Sequence, residues 1–331
     1  RKERREARGP RAGGSLLPPA VSLLSVSLFV ALISTRVVPL GIPGQWVWPY
    51  RPAALPAPQA ALAVAVMLAA ALGLSRLVLR PPGRRWPGFL WALGAALAVR
   101  LAVFHAEPSP ILRQVWTAAS PVSNTYFSEA LRAGPTLDFV RNYPRILAEL
   151  SEHARTHPPG PVLYYRAFLW LCRRWGALRA AAEGWAKLGA GLSLSELAVL
   201  VGDRTGVPLD EPSVAAALWA QLGLCIASAL LAPACLGLAL SLGLDARAAL
   251  AAGALVALSP SANLFSTTVD ALVALLCALS LLLATCGGRR RPWLLASGGV
   301  VLYLAAFVSL SALAMGALVI AWLLLLSLIH I

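Results

Sequence analysis

The chain has 331 residues, of which 59% are hydrophobic and 13% are charged, and its mean hydropathy is +0.73. A soluble domain is roughly 45 to 50% apolar, so this composition excludes an ordinary soluble protein and favours a polytopic membrane protein. The formal net charge of +14 comes mainly from basic residues that flank apolar stretches, with no stacking aromatic groove beside them. We therefore expect a membrane as partner and no nucleic acid.

A helix needs about 20 predominantly apolar residues to cross the hydrocarbon core of a bilayer. Eight segments of this chain meet that requirement, and they predict an all-α fold with about eight transmembrane helices. The predicted spans are 15–35, 57–79, 86–104, 213–241, 246–264, 268–286, 293–309 and 310–328. The last two spans share one apolar run, which we interpret as a hairpin that turns near Ser309.

The positions of Lys and Arg orient these spans, because short cytoplasmic loops retain basic residues. Basic clusters precede the first span, separate the second from the third, and follow the sixth. All three clusters are cytoplasmic if a large polar loop at 105–212 lies wholly outside. The predicted organisation is a basic cytoplasmic tail at 1–14, three spans within 15–104, the extracytoplasmic loop at 105–212, and further spans within 213–331. Because the chain ends inside an apolar run, we expect a fragment that lacks a carboxyl-terminal part.

The loop at 105–212 holds ten of the fourteen acidic residues of the chain. Turn signals divide it into short amphipathic helices of the kind that lie in a membrane interface. The predicted helices are 111–117, a helix capped by Ser123 or Asn124 that runs to Arg132, and one within 138–152 in which Pro144 starts the helix proper. The loop is therefore predicted to lie on the outer membrane surface.

The sequence His157-Pro158-Pro159-Gly160 stands out within this loop. The two prolines end a preceding helix, and the glycine permits close backbone contact. We interpret His157 as a functional residue presented at a rigid kink, and a capping or packed histidine is the alternative. The apolar segment that follows, 161–172, is only about a dozen residues long. That length favours a re-entrant or interfacial segment over a crossing.

These residues carry a resemblance to a known family. The Tyr-x-x-Glu-Ala element at Tyr126–Ala130, the His-Pro-Pro-Gly turn, and Ser259-Pro260 ten residues before Asp270 resemble motifs of the GT-C membrane glycosyltransferases, in the protein mannosyltransferase and aminoarabinose transferase branch. The resemblance implies transfer of a sugar from a polyprenyl-phosphate donor to a lipid, glycan or protein acceptor. It also implies an extracytoplasmic active site at the plasma membrane, with a role in the cell envelope. Asn124 departs from the family, which commonly has an acidic residue there.

The chemistry of this transfer requires a carboxylate that deprotonates the acceptor hydroxyl and groups that hold the phosphate and the sugar. The candidate bases, in order of preference, are Glu129, Glu107 and Asp138. The candidate substrate contacts are Asn124, Tyr126, Arg155, His157, Arg166 and Asp270. The metal site is unknown at this stage, and a divalent metal ion is the one cofactor left open.

Each candidate has a structural alternative. Glu129 precedes Arg132 by one helical turn and could form only a solvated ion pair. Asp270 could be an acidic residue that favours the start of a helix. A transporter or lipid flippase is the alternative function, but it requires ionisable residues near the bilayer midplane and two similar halves. Only Arg76 and Arg100 approach that description, and the sequence has no internal repeat.

Overall fold

The computed structural model describes residues 28, 32, 41–42, 46–47, 57–79, 83, 86–287 and 291–329. The chain divides into two compact units, residues 1–54 and residues 55–331. In the first unit, strands β1 (Gly41–Ile42) and β2 (Trp46–Val47) form an antiparallel pair. The predicted tail at 1–14 lies outside the described residues, and so does the predicted span at 15–35, apart from Leu28 and Leu32.

The second unit is built from helices, so the predicted all-α fold class is confirmed. The helices are α1 (Ala57–Leu79), α2 (Trp86–His105), α3 (Pro110–Ala119), α4 (Thr125–Arg132), α5 (Thr136–Ile146), α6 (Glu152–Thr156), α7 (Gly160–Arg174), α8 (Gly176–Ala190), α9 (Leu194–Thr205), α10 (Glu211–Ser241), α11 (Ala246–Leu258), α12 (Pro260–Leu264), α13 (Val269–Gly287), α14 (Pro292–Val308) and α15 (Ala312–Ile329). A 3₁₀ turn at Leu147–Glu149 follows α5.

Four helices are long and apolar enough to cross a membrane, which indicates an integral membrane protein. They are α1 from Pro58 onward, α2, α10 and α13. Helices α8 and α9 are bent by 72° and count as a fifth candidate if the pair is one broken span. The described residues thus contain four or five candidate spans, and the count of eight stays a prediction.

The predicted span at 246–264 is interrupted. Helix α11 ends at Leu258, and at 13 residues it is only about 20 Å long. Pro260 has no backbone N–H to donate, so the chain starts a new five-residue helix there. The consequence is a turn between α12 and α13 that carries polar residues.

Helix α10 is the central element of the second unit, and it contacts α2, α7, α11 and α13. Its buried surface is rich in alanine, including Ala215, Ala216 and Ala217, all fully buried. Small side chains allow helix backbones to approach closely, which is how helices pack where the hydrophobic effect is weak. Helix α10 is therefore the element against which helices of the polar loop and other candidate spans pack.

The helices of the polar loop agree with the sequence pattern in two cases and differ in one. Helices α3 and α4 cover the predicted segments with slightly different ends. The prediction that Pro144 starts a helix is wrong, because Pro144 lies in the last turn of α5. Phe139 and Tyr143 are one turn apart in α5, both are buried, and their rings contact each other at 5.4 Å. This packing outweighs the cost of a proline near the helix end.

Gly160 makes the close contact that the sequence predicts. It is fully enclosed at the start of α7, where the chain passes the end of α14. An added Cβ would clash with the backbone carbonyl oxygen of Phe307 and would lie 2.9 Å from the Cα of Val308. Backbone atoms cannot move aside as a flexible side chain can, so only glycine fits.

We expect Gly160→Ala to destabilise the protein by about 1 to 3 kcal/mol, because it overpacks a backbone contact. Gly184→Ala is the matched control, since no atom lies within 4 Å of an added Cβ there and alanine favours an α-helix. Thermal unfolding in detergent measures both. Equal melting temperatures for the two variants would contradict the contact.

Candidate functional site

A polar cleft of about 230 Å³ opens among the ends of several helices. Its lining residues come from the end of α3, the start of α4, the segment at α6, the turn before α13, the first turns of α13 and the end of α14. They are Thr117, Ser123, Asn124, Tyr126, His153, His157, Thr267, Thr268, Val269, Asp270, Val273 and Ser309. Four of the six predicted substrate contacts therefore meet in one place, although they are up to 146 positions apart in sequence (Asn124 to Asp270).

His157 is held in a defined orientation. Its Nδ1 lies 3.0 Å from the carbonyl oxygen of His153 and 3.2 Å from the hydroxyl oxygen of Thr156. A carbonyl oxygen only accepts hydrogen bonds, so Nδ1 must carry a proton and donate a hydrogen bond to the carbonyl oxygen of His153. The neutral ring then has its lone pair on Nε2, which makes Nε2 available to accept a proton or, once protonated, to donate to an anion.

Tyr126 packs against His157, with ring centroids 5.5 Å apart in an edge-to-face arrangement. Burial raises the pKa of Tyr126 to about 12, and the nearby charge of Asp270 adds to this shift. The phenol is therefore protonated at all physiological pH values and can serve as a hydrogen-bond donor in the cleft.

Asn124 has one half of its amide paired and, within the part of the chain that the structure describes, the other half unpaired. Its side chain is buried, and Nδ2 donates to the hydroxyl oxygen of Tyr165 at 2.7 Å. Its Oδ1 is buried and has no hydrogen-bond partner among the described residues. An unpaired buried acceptor costs free energy, so a bound hydroxyl group that donates to Oδ1 would remove that cost. The side chain does not cap α4, contrary to the alternative that the sequence allows.

Asp270 lies in the first turn of α13, with an exposed side chain. The Thr268 hydroxyl donates to its carboxylate over 3.4 Å. Asp270 also lines a second cavity of about 470 Å³, the apolar groove, which shares no other residue with the polar cleft. The groove is lined by Ser228, Leu231, Val256, Ser259, Ser261, Ala262, Phe265, Asp270, Ala271 and Ala274. Asp270 is thus the one carboxylate among the described residues that line the polar cleft.

The three carboxylates predicted as bases do not line the polar cleft. Glu107 pairs with Arg113 at 3.3 Å beside the start of α3, and Asp138 is exposed in the first turn of α5. Glu129 is buried in α4, and its Oε1 accepts a hydrogen bond from the backbone N–H of Ser151 at 3.0 Å. It also forms the ion pair with Arg132 that the sequence allows, at 3.8 Å, although Glu129 is buried and the pair is solvated only on the Arg132 side.

The two arginines predicted as phosphate contacts also lie outside the cleft lining. Arg155 is exposed on α6. Arg166 donates from Nη1 to the carbonyl oxygen of Ala133 at 2.7 Å and from Nε to the hydroxyl of Thr136 at 3.1 Å. Arg166 therefore satisfies carbonyl groups at the end of α4, which otherwise have no intrahelical partner.

The sequence pattern did not single out several cleft residues, of which His153, Thr267 and Thr268 have the most evident chemistry. His153 lies four residues before His157, a spacing that places two side chains on one face of a helix. That spacing is a usable signal. Thr267 and Thr268 carry no comparable signal, since hydroxyl residues are common in turns.

The polar cleft contains few groups that could bind a metal ion. Divalent cations such as Mg²⁺ and Mn²⁺ bind chiefly to carboxylate and carbonyl oxygens. Within the described ranges, no group of three or more His, Cys, Asp or Glu residues is placed to hold a metal. The cleft offers the carboxylate of Asp270 and the free Oδ1 of Asn124, which do not by themselves make a protein-held site.

Comparison with models of known protein families, with curated protein sequences and with solved structures finds no match for this chain. The resemblance to the GT-C glycosyltransferases therefore rests on the motifs at Tyr126–Ala130, His157–Gly160 and Ser259–Asp270. Tyr126, His157 and Asp270 line the polar cleft, and Ser259 lines the apolar groove. The three motifs, distant in sequence, thus contribute to two adjoining cavities.

The hydrogen bond at Nδ1 predicts the tautomer of His157. Free neutral histidine prefers the proton on Nε2, whereas here we expect it on Nδ1 because the His153 carbonyl accepts it. ¹⁵N shifts of histidine-labelled protein in detergent distinguish the two forms, and His157→Asn assigns the signal. A signal at the position of the Nε2–H form would contradict this geometry.

Proposed function

We propose that the protein is an integral membrane glycosyltransferase that moves a sugar from a polyprenyl-phosphate donor to a lipid, glycan or protein acceptor. The observation that carries the proposal is the adjacency of the polar cleft and the apolar groove, which share Asp270. A donor of this class has a polar head and a hydrocarbon tail, so it needs both environments side by side. The three motif residues in the cleft support the same conclusion.

The lining of the cleft suits a sugar. It consists largely of hydroxyl, amide and imidazole groups, together with the Tyr126 phenol and the Asp270 carboxylate. Such groups donate hydrogen bonds to sugar hydroxyls and accept hydrogen bonds from them, and a few such bonds fix the orientation of a ligand. A volume of about 230 Å³ is below the roughly 300 to 1,000 Å³ of typical ligand sites, so it favours one sugar unit over a nucleotide sugar.

The charges of the cleft favour a monophosphate over a diphosphate. Neither Lys nor Arg occurs among the described residues that line it, and the two histidines are the only groups of that lining that can become cations. The sequence has no Gly-rich phosphate loop and no Asp-x-Asp motif of the kind that holds a nucleotide diphosphate through a metal. A lipid-linked monophosphate places less negative charge in the site.

The reaction can be assigned to named groups. Asp270 accepts the proton of the acceptor hydroxyl while the acceptor oxygen bonds to the anomeric carbon. The bond between that carbon and the phosphate oxygen breaks, and the phosphate leaves with the electron pair. Protonated His157 donates from Nε2 to the phosphate oxygen, and Asn124 and Tyr126 bind sugar hydroxyls. Asp270 thereby takes the role that the sequence pattern assigned first to Glu129.

The transporter alternative receives less support. Arg76 is exposed in the last turn of α1. Arg100 is fully buried, but its Nε donates to the hydroxyl of Ser228 at 2.7 Å and its Nη1 to the carbonyl oxygen of Ala96 at 3.0 Å. Neither arginine lines the polar cleft or the apolar groove, so neither adds support to a substrate site within the bilayer.

We expect Asp270→Asn to lower the rate of sugar transfer about a hundredfold to ten-thousandfold, because it removes the general base. Asp203→Asn is the matched control, since Asp203 is exposed on α9 and lines neither cavity. The assay measures consumption of polyprenyl-phosphate sugar by membranes that contain the protein. Full activity of Asp270→Asn together with loss in Glu107→Gln or Asp138→Asn would move the base to that residue.

Activity with a nucleotide sugar in carrier-free detergent would reject the donor class. The expected result there is no turnover, with activity restored when the polyprenyl-phosphate sugar is added. This arm separates the identity of the donor from the identity of the base, because it uses the unaltered protein.

An extracytoplasmic cleft predicts a labelling pattern. Single cysteines at Glu152 and Leu264, both exposed and neither lining a cavity described above, should react with an impermeant maleimide in intact cells after the five native cysteines are removed. Leu242→Cys, in the exposed turn between α10 and α11, is the control on the cytoplasmic side and should react only after permeabilisation. Protection of Glu152→Cys or Leu264→Cys in intact cells rules out this topology.

A further inference from the structure

The segment that carries both cleft histidines is too short to be stable without contacts to other elements. Helix α6 has five residues, and His157 follows it directly. A helix this short is unstable in isolation, because nucleation costs more than a few hydrogen bonds return. Ser151, at its amino-terminal cap, makes no side-chain capping bond. The positions of His153 and His157 must therefore be determined by contacts with other elements.

One such contact holds the start of the segment. The Glu129 carboxylate accepts a hydrogen bond from the backbone N–H of Ser151 at 3.0 Å. The Glu129 side chain is only 7% exposed, so this is a buried, charge-assisted hydrogen bond. It plays the part of the glutamate in a capping box, which accepts from the backbone N–H of the cap residue, except that this glutamate comes from α4.

A second contact holds the end of the segment. The Tyr143 hydroxyl lies 2.8 Å from the carbonyl oxygen of Ala154 and 2.6 Å from that of His157. Burial raises the pKa of Tyr143 to about 12, with Glu129 adding to the shift, so the hydroxyl stays a donor. The Tyr143 ring is itself anchored by Phe139.

We infer that Glu129 and Tyr143 are positioning residues that clamp the segment Ser151–His157 at its two ends and so orient His157 in the polar cleft. Neither residue lines the cleft, and both bind backbone atoms of the segment. Their role in turnover rests on the function proposed above. Their effect on the geometry of His157 does not, because it concerns the folded protein alone.

The test compares variants that keep or remove each bond. Glu129→Gln retains a side-chain oxygen that can accept from Ser151, whereas Glu129→Ala does not. Tyr143→Phe removes the hydroxyl, and Tyr164→Phe is its matched control, because Tyr164 donates a similar bond to the carbonyl oxygen of Ala220 away from the segment. Histidine ¹⁵N shifts and sugar transfer are measured for each, with melting temperature as the check on folding.

We expect Glu129→Ala and Tyr143→Phe to weaken the Nδ1–H form of His157 and to lower kcat up to about a hundredfold, as small displacements of reacting groups do. Glu129→Gln and Tyr164→Phe should keep that tautomer and most of the activity. The inference is overturned if Glu129→Gln loses turnover as fully as Glu129→Ala with His157 unchanged, because Glu129 would then act as a base. It is also overturned if Tyr143→Phe matches Tyr164→Phe in both readouts.

Two further outcomes remain decisive. If Glu129→Ala does not fold, the tautomer in Tyr143→Phe against Tyr164→Phe decides the inference. If the unaltered protein transfers no sugar from any polyprenyl-phosphate donor, the proposed function fails, and the shift of the His157 tautomer still confirms or refutes the clamp.

Discussion

The rule that an apolar surrounding leaves no backbone polar group unpaired governs this structure. The break between α11 and α13 frees carbonyl groups, and α10 donates a hydrogen bond to one of them. Arg100 donates to the hydroxyl of Ser228, which in turn donates to the carbonyl oxygen of Ala262 at 2.9 Å. This chain links α2, α10 and α12, and it holds the turn that leads to Asp270. The buried arginine thus has a structural role, and its cost in an apolar region is partly offset by two hydrogen bonds.

The sequence was informative wherever chemistry follows from local pattern. Hydropathy located α1, α2, α10 and α13, since span length depends on composition alone. The prolines after His157 and the acidic residue at the start of α13 drew attention to two residues, His157 and Asp270, that line the cleft. In each case the residue restricts the backbone or places a charge near the membrane, and both features cost free energy.

The sequence was uninformative wherever the partner of a side chain is set by tertiary packing. Glu129 and Arg166 have the right chemistry for a base and for a phosphate contact. Glu129 instead binds the backbone N–H of Ser151, and Arg166 binds carbonyl groups at the end of α4. Both contacts span 22 or more positions, so no periodicity within one helix could predict them. Pro144 shows the same limit, because the burial of Phe139 and Tyr143 overrides its local preference.

The groups of the polar cleft come largely from the ends of helices and seldom from their middles. Asn124 precedes α4, His157 follows α6, Asp270 begins α13 and Ser309 follows α14. Of these helices α13 is a candidate span, and the end of a span lies where hydrocarbon gives way to water, so polar groups at that position can stay hydrated. The apolar groove is lined instead by the sides of α10 and α13 and by the break between α11 and α13. Asp270 belongs to both because it stands at the boundary, and a substrate that matches this pair of cavities must itself be amphiphilic.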